Sequence, residues 1–233
     1  MKIILILALL WVAFCSSVQA STFSGSLTIG TLIHQGKTTD INNLKNHTVI
    51  VFQYETITTN GVSKKQGEIG AGVIIDKRHI LTAFHVVTDI VYNPNNATDL
   101  GAYYNTIDHQ SHYLTIEKYD KDKDLALLVI ENSAPDLIGN PLTLSTNITV
   151  GESIFTIGHP DQGYDLTVGT VSEIHLASAG TKIPLNANIR AGNSGGGVIN
   201  SDGELIGIVL DDANFSNIGY MIGASEVQDF LRE

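Results

Sequence analysis

Ten short runs of apolar and β-branched residues, each closed off by turn formers, do most to narrow what this chain can fold into. They are TVIVFQY (48–54), GAGVIID (70–76), HILTAFHVV (79–87), HYLTIEKY (112–119), LALLVI (125–130), ESIFTIG (152–158), LTVGTVSEI (166–174), GGGVIN (195–200), ELIGIVL (204–210) and IGYMIG (218–223). A surface helix needs apolar positions recurring every three to four residues over several turns, and that period is almost absent. Short strands at regular spacing predict an all-β barrel or sandwich instead.

The tail SEVQDFLRE departs from this pattern. Ser225 is followed three residues later by Gln228 in capping-box form, and Val227, Phe230 and Leu231 share a helical face. A short C-terminal helix docked on a barrel is expected. The Pro- and Gly-containing stretch ENSAPDLIGNP (131–141) reads as a linker between two halves. It divides the chain into residues 21–135 and 136–233. Residues 92–110, YNPNNATDLGAYYNTIDHQ, read as a long decorated loop. The stretch from Ser21 to Asn46 reads as an arm, a first strand or a disordered leader.

The first residues combine Lys2, an apolar run from Ile3 to Phe14 and a polar close ending in Ala20. That is the form of a secretory signal peptide, residues 1–20, cleaved after Ala20. Its apolar run of about a dozen residues is shorter than the ~20 a spanning helix needs, so no membrane association is expected after cleavage. Export to the periplasm or the medium follows. Cleavage also removes Cys15, the only cysteine, so the mature chain has no disulfide and depends on its core. A bacterial envelope or secreted protein fits this better than a small eukaryotic secreted protein, which is more often stapled. The 13 basic residues stand against 24 acidic ones, which argues against nucleic acid and anionic membrane as partners.

The stretch GNSGGG, Gly192 to Gly197, places one serine among glycines. It formally matches the G-x-S-x-G elbow of α/β-hydrolases, but that fold needs its base after the serine, and no histidine follows Ser194. The opposite order is present: His85 in LTAFHVV, then Asp124 at the mouth of the run LALLVI, then Ser194. A serine alcohol needs an imidazole to take its proton, and the imidazole needs a carboxylate to hold its tautomer and stabilise the imidazolium.

TAFHVV, DLALLVI and GNSGGGVIN together resemble the three catalytic blocks of the chymotrypsin-like, trypsin-fold serine endopeptidases. IGHPDQG with VGTVSEI resembles HtrA/Deg-type proteases, and GYMIGASEVQDFL resembles secreted glutamyl endopeptidases. The resemblance spans roughly Gly70 to Leu231. It implies two six-stranded antiparallel β-barrels with the active site between them, His85 as base, Asp124 as orienting acid and Ser194 as nucleophile. It also implies an oxyanion hole from the amides of Gly192 and Ser194. Two positions depart from the family pattern. Asn193 stands where zymogens carry the aspartate that pairs with a new N-terminus, so activation by that ion pair is not expected. Gly197 stands where proline is common.

By the same resemblance the primary specificity pocket draws on Asn188, Ile189, Arg190, Val209, Leu210 and Asp211. A glutamyl endopeptidase would carry histidine where this chain has Val209, and a basic preference would need an acid at Asn188. A small or medium apolar side chain is the expected preference, with Asp211 and Asp212 as solvated loop acids.

No cofactor is expected, and no metal. DKDKDLALLVIE (120–131) places acids at EF-hand positions, but Leu125 stands where the glycine belongs. His109 and His112 lack a third ligand, and His34, His47, His79, His159 and His175 read as surface or core fillers. The chain reads as a serine endopeptidase acting on protein or peptide substrates. The alternative is a catalytically silent binding protein of the same fold. The sequence carries no signature of oligomeric state.

Overall fold

The computed structural model describes residues 31–34, 37–40, 44–92, 97–104, 111–132, 136–137, 141–159, 165–173, 182–210 and 218–233. The leader, His109, His175, Asp211 and Asp212 lie outside them.

The architecture is all-β with a short C-terminal helix. A small hairpin, β1 (Thr31–His34) and β2 (Lys37–Asp40), precedes two sets of six antiparallel strands. The first set comprises β3 (Thr48–Thr59), β4 (Val62–Ile74), β5 (His79–Ala83), β6 (Ala97–Tyr104), β7 (Ser111–Asp120) and β8 (Leu125–Ile130). Its order is β3-β4-β5-β8-β7-β6, and β6 pairs again with β3. The long β3–β4 hairpin turns at Asn60 and Gly61, both at positive φ (53° and 77°), as a two-residue turn matching strand twist requires.

The second set comprises β9 (Ser153–Gly158), β10 (Asp165–Val171), β11 (Lys182–Asn186), β12 (Gly197–Asn200), β13 (Leu205–Leu210) and β14 (Gly219–Gly223). Its order is β10-β11-β14-β13-β12-β9, and β9 pairs again with β10. Strand β13 is buried at every position, which explains why it reads as an unbroken apolar run rather than an alternating one; β9 is equally buried and encloses the polar Ser153 and Thr156.

One apolar cluster joins the two sets. It contains Val49, Val51, Ile80, Leu81, Leu125 and Leu128 of the first with Ile208, Leu210 and Ile222 of the second, together with Val227 and Phe230. The last two belong to helix α2 (Ala224–Arg232). Each such buried side chain contributes about 1.5–3 kcal/mol, so the helix is held by its apolar face. A second cluster, with Ile154, Leu185, Val198, Val209 and Met221, fills the second set.

Three expectations are corrected. Residues 97–104 are a strand rather than part of a loop, paired to β3 and β7. The run 79–87 is not one strand: the ladder ends at Ala83 opposite Leu125, and Phe84–Val87 form a 3-10 turn leading into α1 (Thr88–Tyr92). The Ser225–Gln228 capping box is not formed. Gly223 is already extended and paired with Gly207, so the helix starts directly after that ladder pair, with no side-chain cap. Segment 141–149 is docked on β13: Leu205 N–H donates to Thr143 O, and Ser145 N–H to Leu205 O. No helix among the described residues is long and apolar enough to cross a membrane.

Candidate active site

His85 lies in the 3-10 turn that ends β5, and Asp124 immediately precedes β8, the strand paired with β5. Antiparallel pairing thus brings two residues distant in sequence to the same end of one ladder. Asp124 uses both carboxylate oxygens on His85: Oδ2 lies 2.8 Å from Nδ1, and Oδ1 accepts the backbone N–H at 2.9 Å. The Asp124 carbonyl also accepts the Phe84 N–H at 3.0 Å. With Nδ1 held as donor to the carboxylate, Nε2 of a neutral imidazole is the basic nitrogen. The ring is partly open, with a side-chain exposure of 38%. Asp124 adopts φ 55°, a left-handed conformation that Asp tolerates better than most residues.

Ser194 lies on the turn between β11 and β12. Its carbonyl accepts the Ala71 N–H of β4 at 2.7 Å. A Cβ placed at Gly70 would lie 2.7 Å from the Val86 side chain and 2.8 Å from Ser194 O. The serine backbone and the residue after His85 therefore close on one point. Gly195, at φ 82°, packs so tightly on β4 and β5 that a Cβ would overlap Ala71 O and Thr82 Oγ1. Thr82 Oγ1 itself donates to Ala71 O at 2.7 Å.

The N–H groups around the serine divide into two kinds. Those of Asn193, Gly195 and Gly196 donate to Arg190 O, Val209 O and Asn193 O. Those of Gly192 and Ser194 have no backbone acceptor among the described residues. Gly192 has φ 94°, and its carbonyl accepts the His159 N–H at 2.9 Å. Two donors with no backbone acceptor flanking one residue can receive an anionic oxygen.

The pocket positions behave differently from one another. Asn188 is exposed, and its carbonyl accepts Thr167 Oγ1 at 3.4 Å. Ile189 lies so close to Gly219 of β14 that a Cβ there would overlap it. Arg190 points outward to Asp165 Oδ2 at 2.6 Å. Val209 and Leu210 are fully buried in the two apolar clusters, with Val209 contributing its backbone to Gly195 and Gly196.

His159 and Asn193 carry more than their sequence suggests. His159, expected as a filler, is buried and anchors the Gly192 carbonyl. Asn193 is 0% exposed, and neither its side-chain N nor its O has a partner among the described residues. His79 lies between carboxylates, with Nδ1 2.8 Å from Asp76 and Nε2 2.9 Å from Glu117. Burial works to raise the Asp76 carboxyl, but the N–H groups of Arg78 and His79 and the His79 ring hold it below its ordinary value. Asp120, in the stretch with EF-hand-like spacing, instead caps a tight turn by accepting the N–H groups of Asp122 and Lys123. No three His, Cys, Asp or Glu among the described residues are arranged to hold a metal.

Residues 70–208 match the family described as the trypsin-like peptidase domain. Protease Do-like 1, chloroplastic, of Arabidopsis thaliana is 32% identical over 171 residues, covering 69% of this chain and 37% of the relative. Serine protease HtrA-like of Staphylococcus aureus (strain MRSA252) is 28% identical over 85% of this chain and 28% of the relative. The chain therefore spans about a third of the length of these curated relatives. Among solved structures, Deg5 superposes with TM-score 0.65 at 25% identity, covering 82% of this chain and 88% of that one. An inactive mutant form of Rv3671c from M. tuberculosis H37Rv gives 0.62 at 20% identity, over 82% and 91%. The match over residues 70–208 covers more than half of the sequence, and the chain belongs to the trypsin-like peptidase domain family, in company with HtrA/Deg-type serine proteases.

Proposed function

We propose that this chain is an exported serine endopeptidase, working in the periplasm or outside the cell, that hydrolyses peptide bonds in proteins through an acyl-enzyme. In this reading the two strand sets are two barrels with the site between them. The observations that carry the reading are a carboxylate-clamped His85, whose neighbour Val86 closes with Ser194 O on Gly70, and the N–H groups of Gly192 and Ser194, which have no backbone acceptor among the described residues. The export assignment rests on the leader.

His85 Nε2 takes the proton from Ser194 Oγ as the oxygen attacks the carbonyl carbon. The electron pair of the C=O moves onto oxygen, which the Gly192 and Ser194 N–H groups receive. Asp124 stabilises the imidazolium, which then delivers its proton to the leaving amine as the C–N bond breaks. Water, deprotonated by His85, releases the acyl group by the same steps in reverse roles. Each oxyanion donor is typically worth about 10²–10³ in turnover. Ile189 packs on Gly219; in this reading it lines the substrate pocket, in keeping with a small or medium apolar preference.

The test is to label the mature protein with a fluorophosphonate probe beside Ser194→Ala and His85→Ala, then to map cleavage sites in a denatured proteome by mass spectrometry. Labelling lost in the serine variant and strongly reduced in the histidine variant, with cuts after small apolar residues, is expected. A folded wild type that takes no probe overturns the reading in favour of a silent binding protein.

A further inference from the structure

The turn that presents Asp124 is also where the C-terminal helix is fastened. Lys123, the residue directly before Asp124, has a side chain only 13% exposed. Its Nζ lies 3.0 Å from Glu233 Oε1 and 3.4 Å from Asp120 Oδ2. The hydrogen bond to Glu233 is the main influence that holds the Lys123 ammonium above its ordinary value. On the neighbouring strand, Lys118 Nζ donates to Phe230 O at 2.5 Å and lies 4.7 Å from the centre of the Phe230 ring.

Asp120 completes the arrangement from within the turn by holding the N–H groups of Asp122 and Lys123. Lys121 is turned away, over the Tyr92 ring. Among the described residues, the charged groups that meet the Lys123 ammonium are Asp120 and Glu233. Asp124 itself adopts a conformation that few side chains accept, φ 55°. Such a backbone persists only where its surroundings over-determine it. On the Asp124 side those surroundings are the 3-10 turn, through Phe84 and His85. On the other side they are the Lys123 ion pairs to Asp120 and the helix end.

We propose that Lys123 is a positioning residue for Asp124, and that its pairing with Glu233 lets docking of the C-terminal helix set the geometry of the Asp124–His85 pair. The kinetic consequence rests on the peptidase reading, whereas the geometric one does not. Lys123→Met removes the tether. Glu233→Gln weakens it while leaving the Lys123 charge beside Asp124. Glu233 is 63% exposed in its side chain, so its substitution leaves the core intact. Lys123→Arg keeps the ion pair.

The experiment records the His85 Nδ1–H proton resonance by NMR, together with kcat and KM on a peptide substrate. Lys123→Met and Glu233→Gln are expected to broaden that resonance and speed its exchange. They should also lower kcat about tenfold at unchanged KM, since a small misplacement of a catalytic group is costly, and Lys123→Arg should retain wild-type behaviour. Folded Glu233→Gln protein whose resonance and kcat match wild type overturns the proposal. A resonance that responds to Lys123→Met and Glu233→Gln, when the wild type itself shows no turnover, upholds the positioning role and removes the peptidase reading instead.

Discussion

The two ends of the candidate site are built by opposite means. His85 and Asp124 are joined by side chains: a carboxylate spans a ring nitrogen and a backbone N–H, at the end of a ladder that would form without it. The Ser194 turn is joined by backbone, through Ser194 O to Ala71 N, Gly195 N to Val209 O and Gly192 O to His159 N, with glycine where a Cβ would collide. The first end can therefore lose its chemistry while keeping its fold. At the second, a change at one of the glycines that hold the turn disturbs both.

Asp124→Asn should give the largest effect and isolate the first end. Asn accepts the left-handed φ at least as well as Asp, so the melting temperature should stay near wild type. The imidazole loses its charged orienter, and kcat on a peptide substrate should fall by about 10⁴-fold. A large melting loss would break the contrast. Gly195→Ala probes the other end. A Cβ at φ 82° against Ala71 O and Thr82 Oγ1 strains the turn and displaces the Ser194 N–H. A fall in turnover of about 10²–10³-fold should come with a stability loss of about 1–3 kcal/mol, both read from the same preparation by kinetics and urea unfolding.

Gly219→Ala sharpens the contrast on the substrate side. The added methyl meets Ile189, so Ile189 must shift. The ratio of kcat/KM between Ala- and Val-containing substrates should change about tenfold, in line with the weight of one methylene in an apolar pocket. A ratio that stays put would detach Ile189 from the pocket.

Acid stability should give the smallest effect. Burial opposes ionisation of Asp120, but the N–H groups of Lys123 and Asp122 and the Lys123 ammonium outweigh it and lower its pKa. A lowered folded-state pKa contributes stability that is full above the ordinary value of 3.8 and is lost as pH falls through the folded value. Asp120→Asn should therefore flatten the dependence of melting temperature on pH below about 4, with little change at pH 7 in the slope.

Strands enclosed on both faces were legible as sequence because burial alone makes them apolar throughout, as in LALLVI and ELIGIVL. Strand β6 was not. ATDLGAYY carries Asp and Gly that read as loop, and its pairing comes from long-range ladders to β3 and β7. Strand β11 was also missed, since Pro184 reads as a break. Its carbonyl nevertheless accepts the Ser172 N–H while the residue pairs with Tyr220. His85, Asp124 and Ser194 stood out because proton transfer and nucleophilic attack demand those residue types. His159, Gly70 and Thr82 did not, because what they do depends on backbone contacts across the chain.

The most direct test of the central claim is rapid-quench mass spectrometry of the purified protein mixed with an activated peptide ester. An acyl adduct on the peptide containing Ser194, formed in a burst, absent in Ser194→Ala and greatly slowed in Asp124→Asn, is the predicted result. Ester turnover with no adduct on Ser194, or an adduct whose rate is indifferent to Asp124, would contradict it.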